Sequence, residues 1–161
     1  MVAFLLSISM CFNIMSYDPP GGYYDISEKS KERACLLFPK IIKEASANNI
    51  DPTLLTALII VESRFKPKAV SRSNACGLTQ VIPKWTGGKA TKRKKYTCDQ
   101  LKVPETSIEA GASILSWWIS HRKGNVRRGL CGYNAGFRGC SAGGRYADAV
   151  LKVQKHLLRE R

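Results

Sequence analysis

One glutamate in this 161-residue chain, Glu62, follows an unusually apolar stretch, Leu58-Ile59-Ile60-Val61. Burial among such neighbours penalises the carboxylate form and raises the pKa of the acid. The negative end of a helix dipole acts in the same direction. A glutamic acid that keeps its proton near neutral pH can serve as a general acid. The residue types and their spacing therefore predict proton transfer to a leaving oxygen, centred on Glu62.

The helix that should carry Glu62 has clear start and end signals. Asp51 is a favourable N-cap, and Pro52 fits the first helical position. Apolar side chains then cover every side of the helix, which is typical of a helix that is buried all round. Pro67 predicts the end, because helical conformation is disfavoured at the residue before a proline. The alternative is that Glu62 is a surface residue at a frayed helix end.

The rest of the pattern predicts a single, mainly α domain with an irregular middle region. Residues 66–100 are rich in turn formers, and short strands are expected at most around 78–82. The stretch 129–144 contains six glycines and is assigned to no helix. Pro39 interrupts the first helical segment, so this segment is either one helix or two pieces. Helical periodicity marks three segments beside the one that carries Glu62: 28–48, 104–121 and 146–161.

The composition fits one globular domain. The apolar fraction is 44% and the charged fraction is 24%, which excludes a disordered chain and a multi-span membrane protein. Lys and Arg number 26 against 12 Asp and Glu, which leaves a formal net charge of +14. Such a field favours a polyanionic partner: nucleic acid, an anionic membrane face or an anionic cell-wall polymer.

The first sixteen residues are uncharged and strongly apolar. This segment is short for a membrane-spanning helix, which needs roughly 20 residues, and it suits the core of a secretory signal. We therefore expect an exported protein of the periplasm or cell envelope, with 1–16 as signal peptide or signal anchor, 17–27 as linker and 28–161 as the folded domain. A buried or interfacial helix is the alternative for the first segment, because the usual positively charged start is missing.

Removal of the predicted signal would leave five cysteines, an odd set that sequence cannot pair. Two local disulfides are the candidates, Cys76 with Cys98 and Cys131 with Cys140, and Cys35 is left over. Reduced, buried thiols are the alternative. No metal is expected, because no Cys-x-x-Cys pair occurs and neither histidine lies at ligand spacing from the cysteines.

Several short segments, in the family's order, resemble the soluble lytic transglycosylases, whose fold is that of goose-type lysozyme. The likeness spans about residues 35–155. One such segment would be a weak signal, whereas the ordered set is a strong one. The resemblance implies an α+β lysozyme-like version of the mainly α fold and a lytic transglycosylase activity on peptidoglycan. The matching segments are Ile50-Asp51-Pro52-Thr53-Leu54-Leu55, Val61-Glu62-Ser63-Arg64-Phe65, Gly77-Leu78-Thr79-Gln80, Gly132-Tyr133-Asn134-Ala135-Gly136 and Arg145-Tyr146-Ala147.

The resemblance implies a role for each matching residue, with Glu62 as the single catalytic acid/base. Two positions depart from the family pattern: Thr79 stands where Met is commonest, and Gly132 stands where Ala is usual. Both changes are expected to affect the lining of the cleft and not proton transfer. Core, loop and turn roles are the alternatives for these residues. The substrate-binding residues that the resemblance implies are Ser63, Gly77, Leu78, Gln80, Tyr133, Asn134 and Tyr146.

The mechanism implied by the resemblance needs only one carboxylate. Glycosidases that use water normally employ two, but the 36 residues between Glu62 and Asp99 contain no acid. Glu62 would protonate the oxygen of the MurNAc-β-1,4-GlcNAc bond and then take the proton of the C6 hydroxyl, which gives 1,6-anhydromuramic ends without a cofactor. The alternatives are a lysozyme-type hydrolase on the same substrate and a non-catalytic cationic module that binds cell wall or nucleic acid.

The expected partner is the glycan strand of peptidoglycan, bound by a monomer. Nucleic acid is not expected, because the run Lys92-Arg93-Lys94-Lys95 follows a glycine pair in a loop and not on a recognition helix. The cationic last helix could contact an anionic membrane or lipopolysaccharide. A phage-encoded enzyme that acts on the host wall and a bacterial wall-remodelling enzyme both fit the sequence.

Overall fold

The computed structural model describes residues 1–159, which form seven α-helices joined by loops and short 3₁₀ turns. β-Structure in this part of the chain is confined to isolated bridges of Cys76 with Val70 and Val81. The mainly α fold class is therefore confirmed, and the short strands expected around 78–82 reduce to single bridge pairs. The helices are α1 (Val2–Met15), α2 (Glu28–Ala47), α3 (Pro52–Ser63), α4 (Cys98–Leu101), α5 (Pro104–His121), α6 (Val126–Ala135) and α7 (Cys140–Arg159).

Helix α3 is the central element of the fold. Asp51 caps it as predicted, since one carboxylate oxygen accepts hydrogen bonds from the backbone N–H of Thr53 at 2.7 Å and from its hydroxyl at 2.6 Å. Every residue from Thr53 to Ile60 is buried. Helices α2 and α7 pack directly against α3. A helix enclosed in this way holds the residues of its last turn in a fixed position.

The end of α3 is set by tertiary packing and not by Pro67. The helix stops at Ser63, and the next two residues, Arg64 and Phe65, adopt the left-handed conformation with φ of 52° and 57°. The Phe65 side chain is fully buried, and its carbonyl oxygen accepts a hydrogen bond from Arg33 at 2.6 Å. These contacts offset the backbone strain, which is on the order of 1 kcal/mol per left-handed residue.

The stretch 129–144 contains α6 and the first residues of α7, so leaving it without a helix was wrong. Its glycines sit where helices approach closely. A Cβ at Gly132 would lie 2.4 Å from the Trp118 ring of α5, and one at Gly143 would lie 2.6 Å from the Cys131 carbonyl oxygen. Close packing thus outweighs the low helix propensity of glycine. Helix α7 accordingly begins six residues before the predicted start at 146, and Glu160 and Arg161 of the predicted helix lie outside the described residues.

The N-terminal helix α1 packs against α2 through the buried side chains of Met10 and Ile14. Helix α2 itself is one continuous helix with an exposed Pro39 inside it. No helix of the described part of the chain is long and apolar enough to cross a membrane. The assignment of residues 1–16 as a signal peptide or signal anchor stays a prediction. Large apolar side chains on the other face of α1 are exposed: Val2, Phe4, Leu5, Ile8 and Phe12.

All six cysteines lie in disulfides. One bridge joins α1 to α2, one closes the segment that carries the basic run, and one joins α6 to the first residue of α7. The pairing of Cys35 with Cys11 was missed because Cys11 was assigned to a segment that would be removed. A bridge of this kind typically stabilises a fold by about 2–4 kcal/mol. The pairs are Cys11–Cys35, Cys76–Cys98 and Cys131–Cys140.

Candidate active site

Glu62 and Tyr146 form the centre of the site. Glu62 lies in the last turn of α3, and the Tyr146 hydroxyl on α7 donates a hydrogen bond of 2.6 Å to its Oε1 atom. Burial raises the pKa of Glu62 to about 7, and the hydrogen bond from Tyr146 acts in the opposite direction. The carboxyl is therefore divided between its protonated and ionised forms near neutral pH. Such a group can both give up a proton and take one back.

Three tyrosines, Tyr24, Tyr133 and Tyr146, lie within electrostatic reach of Glu62. Burial is the main cause that raises the pKa of each phenol, and the charge of Glu62 adds to the rise. The three hydroxyls consequently stay protonated across the neutral range and can act as hydrogen-bond donors. A carboxylate formed at Glu62 would face donors and no competing anion from these residues.

Tyr24 is the residue near the site that sequence reasoning missed. It belongs to the segment 17–27, which was assigned as a linker, and it packs against the main core with a φ of 59°. Tyr17, at the start of the same segment, is buried as well. The signal that could have found Tyr24 is the aromatic pair Tyr23-Tyr24 in a stretch that otherwise contains turn-forming residues.

The loop 77–80 is tied to α3 and α6 by side-chain hydrogen bonds to its backbone. The Ser63 hydroxyl donates to the Leu78 carbonyl oxygen at 2.8 Å. The Tyr133 hydroxyl donates to the Thr79 carbonyl oxygen at 2.7 Å. Ser63 directly follows Glu62 in the sequence, and its hydrogen bond to Leu78 therefore holds the loop next to Glu62. The site thus combines the end of α3, the Tyr146 side chain of α7, the Tyr133 side chain of α6 and the loop 77–80.

Side chains of the loop 77–80 shape it from within. Leu78 is fully buried, and a Cβ at Gly77 would lie 1.8 Å from the Leu101 carbonyl oxygen. The Gln80 amide nitrogen donates to the carbonyl oxygens of Ala69 at 3.1 Å and Gly77 at 2.9 Å. The structure therefore places Leu78 in the core and uses the Gln80 amide protons inside the loop, which are the alternative roles considered for these two residues.

The two departures from the family pattern both face α5 and do not line an open cleft. Thr79 is fully buried, and its hydroxyl donates to the Ser107 carbonyl oxygen at 2.7 Å. Gly132 is buried against the Trp118 ring. Both residues are thus matched to the side chains of α5. Asn134, in contrast, is exposed near the end of α6 and is open to a ligand.

The chemistry available to this site is proton transfer by one carboxyl group. Within residues 1–159, no group of three or more His, Cys, Asp or Glu side chains could hold a metal ion. No second carboxylate of these residues contributes to the pKa of Glu62. The structure therefore combines a single buried acid with phenolic hydrogen-bond donors, on a mainly helical scaffold.

This scaffold is the fold of lytic transglycosylases. The 70 kDa soluble lytic transglycosylase of Escherichia coli superposes with a TM-score of 0.64 at 19% identity, over 98% of this chain and 29% of that chain. An inactive mutant of the lytic transglycosylase Slt from Pseudomonas aeruginosa gives a TM-score of 0.56 at 23% identity, over 73% of this chain and 21% of that chain. At these identities the likeness concerns the fold.

Sequence comparison shows the family. The model of the transglycosylase SLT domain matches residues 39–152, and the chain belongs to this family. Similar curated proteins include the endo-type membrane-bound lytic murein transglycosylase A of Salmonella paratyphi B and of Salmonella typhimurium. Each is 36% identical over 119 residues, which cover 71% of this chain and 57% of the relative. The chain thus spans just over half the length of these relatives.

Proposed function

We propose that this domain is a peptidoglycan lytic transglycosylase that cleaves the MurNAc-β-1,4-GlcNAc bond with Glu62 as its single acid/base. One observation carries the proposal: a carboxyl group with a pKa raised to about 7 accepts a 2.6 Å hydrogen bond from Tyr146 at the end of a buried helix. Membership of the SLT family and the names of the curated relatives support the substrate class.

In the first step the protonated Glu62 gives its proton to the glycosidic oxygen, and the bond from this oxygen to C1 of the muramic residue breaks. The N-acetyl carbonyl of the substrate stabilises the positive charge that develops on C1. The Tyr146 hydroxyl donates a hydrogen bond to the carboxylate formed at Glu62 and stabilises it, which lowers the pKa of this acid. Tyr146 therefore favours transfer of the proton from Glu62 to the leaving oxygen.

In the second step the carboxylate of Glu62 takes the proton of the C6 hydroxyl of the same muramic residue. The C6 oxygen then bonds to C1, which closes the 1,6-anhydro ring and returns Glu62 to its protonated form. No water is consumed, and atoms and charge balance over the two steps. A group with a pKa near the working pH suits both directions of transfer.

The small number of acids supports this route over hydrolysis. Hydrolases that invert or retain configuration normally use two carboxyl groups, roughly 5–9.5 Å apart. Around Glu62, the described residues contribute phenols and backbone groups, and no other carboxylate affects its pKa. The solved Pseudomonas aeruginosa enzyme is an inactive glutamate-to-glutamine mutant, and we assign Glu62 the corresponding essential role.

Substrate contacts follow from what each residue leaves exposed. Asn134, at the exposed end of α6, would hydrogen-bond to the sugar. The side-chain carbonyl oxygen of Gln80, whose amide nitrogen is already bonded inside the loop, would accept a hydrogen bond from the sugar. Ser63, Tyr133 and the buried loop residues Gly77 and Leu78 would act by holding the loop in place.

Three disulfides support action in an oxidising compartment, such as the periplasm or the cell envelope. The positive charge of the chain suits an anionic wall polymer as its partner. We expect the domain to act on glycan strands as a monomer.

Mass analysis of the products tests the proposed reaction. Purified protein is incubated with peptidoglycan, and the released muropeptides are compared with those of a Glu62→Gln variant. The expected products carry anhydro ends, which are lighter than reducing ends by the mass of one water molecule. Reducing ends in their place would show a lysozyme-type hydrolase. If neither protein releases muropeptides, the domain would instead be a non-catalytic wall-binding module.

A further inference from the structure

A concave site of about 440 Å³ lies where the end of α5 meets α6 and the start of α7. None of the residues that line it belongs to the proposed active site. Four side chains of its lining are cationic, and the described lining contains no carboxylate. We call this site the basic pocket, and its cations are Arg122, Lys123, Arg128 and Arg138.

The cations of the basic pocket have no anionic partner in residues 1–159. The five ion pairs of this part of the chain all join other residues. The Nε atom of Arg122 is buried without a hydrogen-bond partner among the described residues, and its Nη2 atom donates only a long bond of 3.4 Å to the Gly136 carbonyl oxygen. A buried donor without an acceptor is costly. The Arg122 guanidinium thus has donor capacity that this part of the protein does not use.

Packing holds the Arg122 guanidinium at the start of α7. Its central carbon lies 5.5 Å from the centre of the Trp118 ring on α5, and a Cβ at Gly139 would lie 3.7 Å from its Nη2 atom. Gly139 directly precedes α7, and both Gly139 and Cys140 line the basic pocket. The first N–H groups of a helix have no acceptor within it, and the positive end of its dipole lies there. Arg122 and the start of α7 therefore favour an anion at the same place.

The amount of positive charge favours a phosphate monoester over a single carboxylate. A phosphate monoester carries about −1.5 to −2 charge at pH 7 and three acceptor oxygens, whereas a carboxylate has one charge and two oxygens. The planar guanidinium of arginine matches the oxygens of phosphate in pairs. Three of the four cations of the basic pocket are arginines, so a phosphate group engages more of their donors.

An apolar surface lies beside these cations. Phe137 lines the basic pocket and is 76% exposed. The centre of its ring lies 5.2 Å from that of Trp118 and 5.6 Å from that of His121, and these aromatic neighbours hold it in place. A ligand with an apolar part next to its phosphate would gain the free energy of covering this ring.

We propose that the basic pocket binds a phosphate monoester, with Arg122, Arg128 and Arg138 as the phosphate-binding residues and Phe137 as the contact for an apolar part of the ligand. A phosphorylated lipid headgroup and a soluble phosphomonoester share this chemistry, and the experiment separates the two sources. The basic pocket is then an additional anion site of the domain, and it does not rest on the proposed function.

Calorimetry at fixed salt measures the binding of three probes: phenyl phosphate, inorganic phosphate and benzoate. Phenyl phosphate should bind most tightly, because it offers both a phosphate group and an apolar ring. Benzoate, which has the ring and a carboxylate, should bind at least about tenfold more weakly. Equal affinities for phenyl phosphate and benzoate would overturn the phosphate assignment, and absence of phenyl phosphate binding would overturn the site.

Matched variants test the residues of the basic pocket. Arg128→Gln/Arg138→Gln removes two exposed cations of the pocket, and Arg72→Gln/Arg93→Gln removes the same charge from exposed positions elsewhere. The pocket variant should bind phenyl phosphate at least about tenfold more weakly, the size of one charge-assisted hydrogen bond, and the control variant should stay within about twofold of wild type. Phe137→Ser should lower the affinity for phenyl phosphate to that for inorganic phosphate. Equal losses in the two double variants would show unspecific charge attraction and overturn the proposal.

Sedimentation with phosphatidylcholine vesicles separates the two sources of phosphate. One set of vesicles carries phosphatidic acid, and the other carries oleic acid as an anionic lipid without phosphate. Binding to the first set alone, lost in the pocket variant, supports the proposal with a lipid headgroup as the ligand. Binding of phenyl phosphate without binding to vesicles supports it with a soluble phosphomonoester as the ligand.

Muropeptide release by the same variants keeps this test apart from the proposed function. The pocket variant and the control variant should release muropeptides at equal rates. A loss confined to the pocket variant would place the basic pocket in the cleavage machinery and overturn its assignment as a separate phosphate site. Phosphate binding by a wild-type protein that cleaves no glycan would overturn only the proposed function.

Discussion

Two glutamates of this chain have similar tyrosine partners and opposite electrostatic behaviour. Glu62 accepts a hydrogen bond from Tyr146 at 2.6 Å, and Glu109 accepts one from Tyr96 at 3.4 Å. Yet the pKa of Glu62 is raised to about 7, whereas the pKa of Glu109 is lowered. A tyrosine partner alone therefore does not decide whether a carboxyl group is acid or anion.

The two glutamates differ in whether a cation lies beside the carboxyl group and in how far that group is removed from water. Lys94 forms a salt bridge and hydrogen bond with Glu109, and this contact is the main cause of the lowered pKa. For Glu62, burial is the main cause of the shift, and no cation of the described residues offsets it. Desolvation without a counter-charge thus raises the pKa of Glu62 towards neutrality, whereas the same residue type beside a lysine at the surface has a lowered pKa.

The largest expected effect separates the two glutamates by activity. Glu62→Gln should lower the rate of muropeptide release by about 10³-fold or more, because an amide cannot transfer the proton. Glu109→Gln should leave the rate within about twofold, since Glu109 is committed to its ion pair. Circular dichroism confirms that both variants are folded. If the Glu62→Gln variant keeps full activity, Glu62 has no catalytic role and does not differ from Glu109 in function.

The second effect is on stability. The folded pKa of Glu62 is about 7 against an ordinary value of 4.5, so the native state binds this proton more tightly than the unfolded state. The associated stability is fully present below about pH 4.5 and is lost as the pH rises through about 7, to the extent of about 3 kcal/mol. Glu62→Gln should therefore unfold at higher urea concentration than wild type at about pH 8 and at similar concentration at about pH 4. If the difference in urea midpoint between the variant and wild type is the same at both pH values, the pKa of Glu62 is not raised by burial.

A third, smaller effect tests the tyrosine partners. The Tyr146 hydrogen bond lowers the pKa of Glu62, so Tyr146→Phe should raise this pKa further and move the alkaline limb of the pH–rate profile to higher pH. The rate near neutral pH should fall about tenfold, because the carboxylate loses a stabilising donor. Tyr96→Phe is the matched control and should change neither. An identical profile for both tyrosine variants would mean that Tyr146 only packs.

The smallest effect concerns the surface pair. Lys94→Met removes the main cause of the low pKa of Glu109, so this pKa should rise in an NMR titration while that of Glu62 stays unchanged. A lowered acid pKa contributes stability above the unfolded pKa and loses it as the pH falls. Because Lys94 is exposed to solvent, this contribution is expected to be small. If the pKa of Glu109 does not move, Lys94 is not its counter-charge.

Much of the helical frame could be predicted, because local signals agree with the tertiary structure there. Helix α5 has the predicted bounds, since Pro104 marks its start and its apolar stripe continues to His121. Asp51 caps α3 as its residue type indicates. Helix α6 could not be predicted, because its glycines are explained only by α5 side chains such as Trp118, which are distant in sequence.

The candidate site was predictable to a similar degree. Glu62 was predicted from its own neighbours, and the tyrosines on α6 and α7 were predicted through the family resemblance. Tyr24 was missed because nothing in a Pro- and Gly-rich segment indicates where its side chain lies. The hydrogen bonds of the Gln80 amide to the loop backbone were only one of two alternatives, since an amide in a loop can donate either to the backbone or to a ligand.

The sequence by itself determined that an acid ends a buried helix and that few other acids are available. Only the tertiary structure decided that the pKa of Glu62 is raised and that of Glu109 is lowered. The partner of Glu62 is 84 residues away and is a neutral phenol, whereas the partner of Glu109 is 15 residues away and is a cation. A pKa depends on which charges and how much water lie within a few ångströms of the carboxyl group. Those distances exist only once the helices have packed.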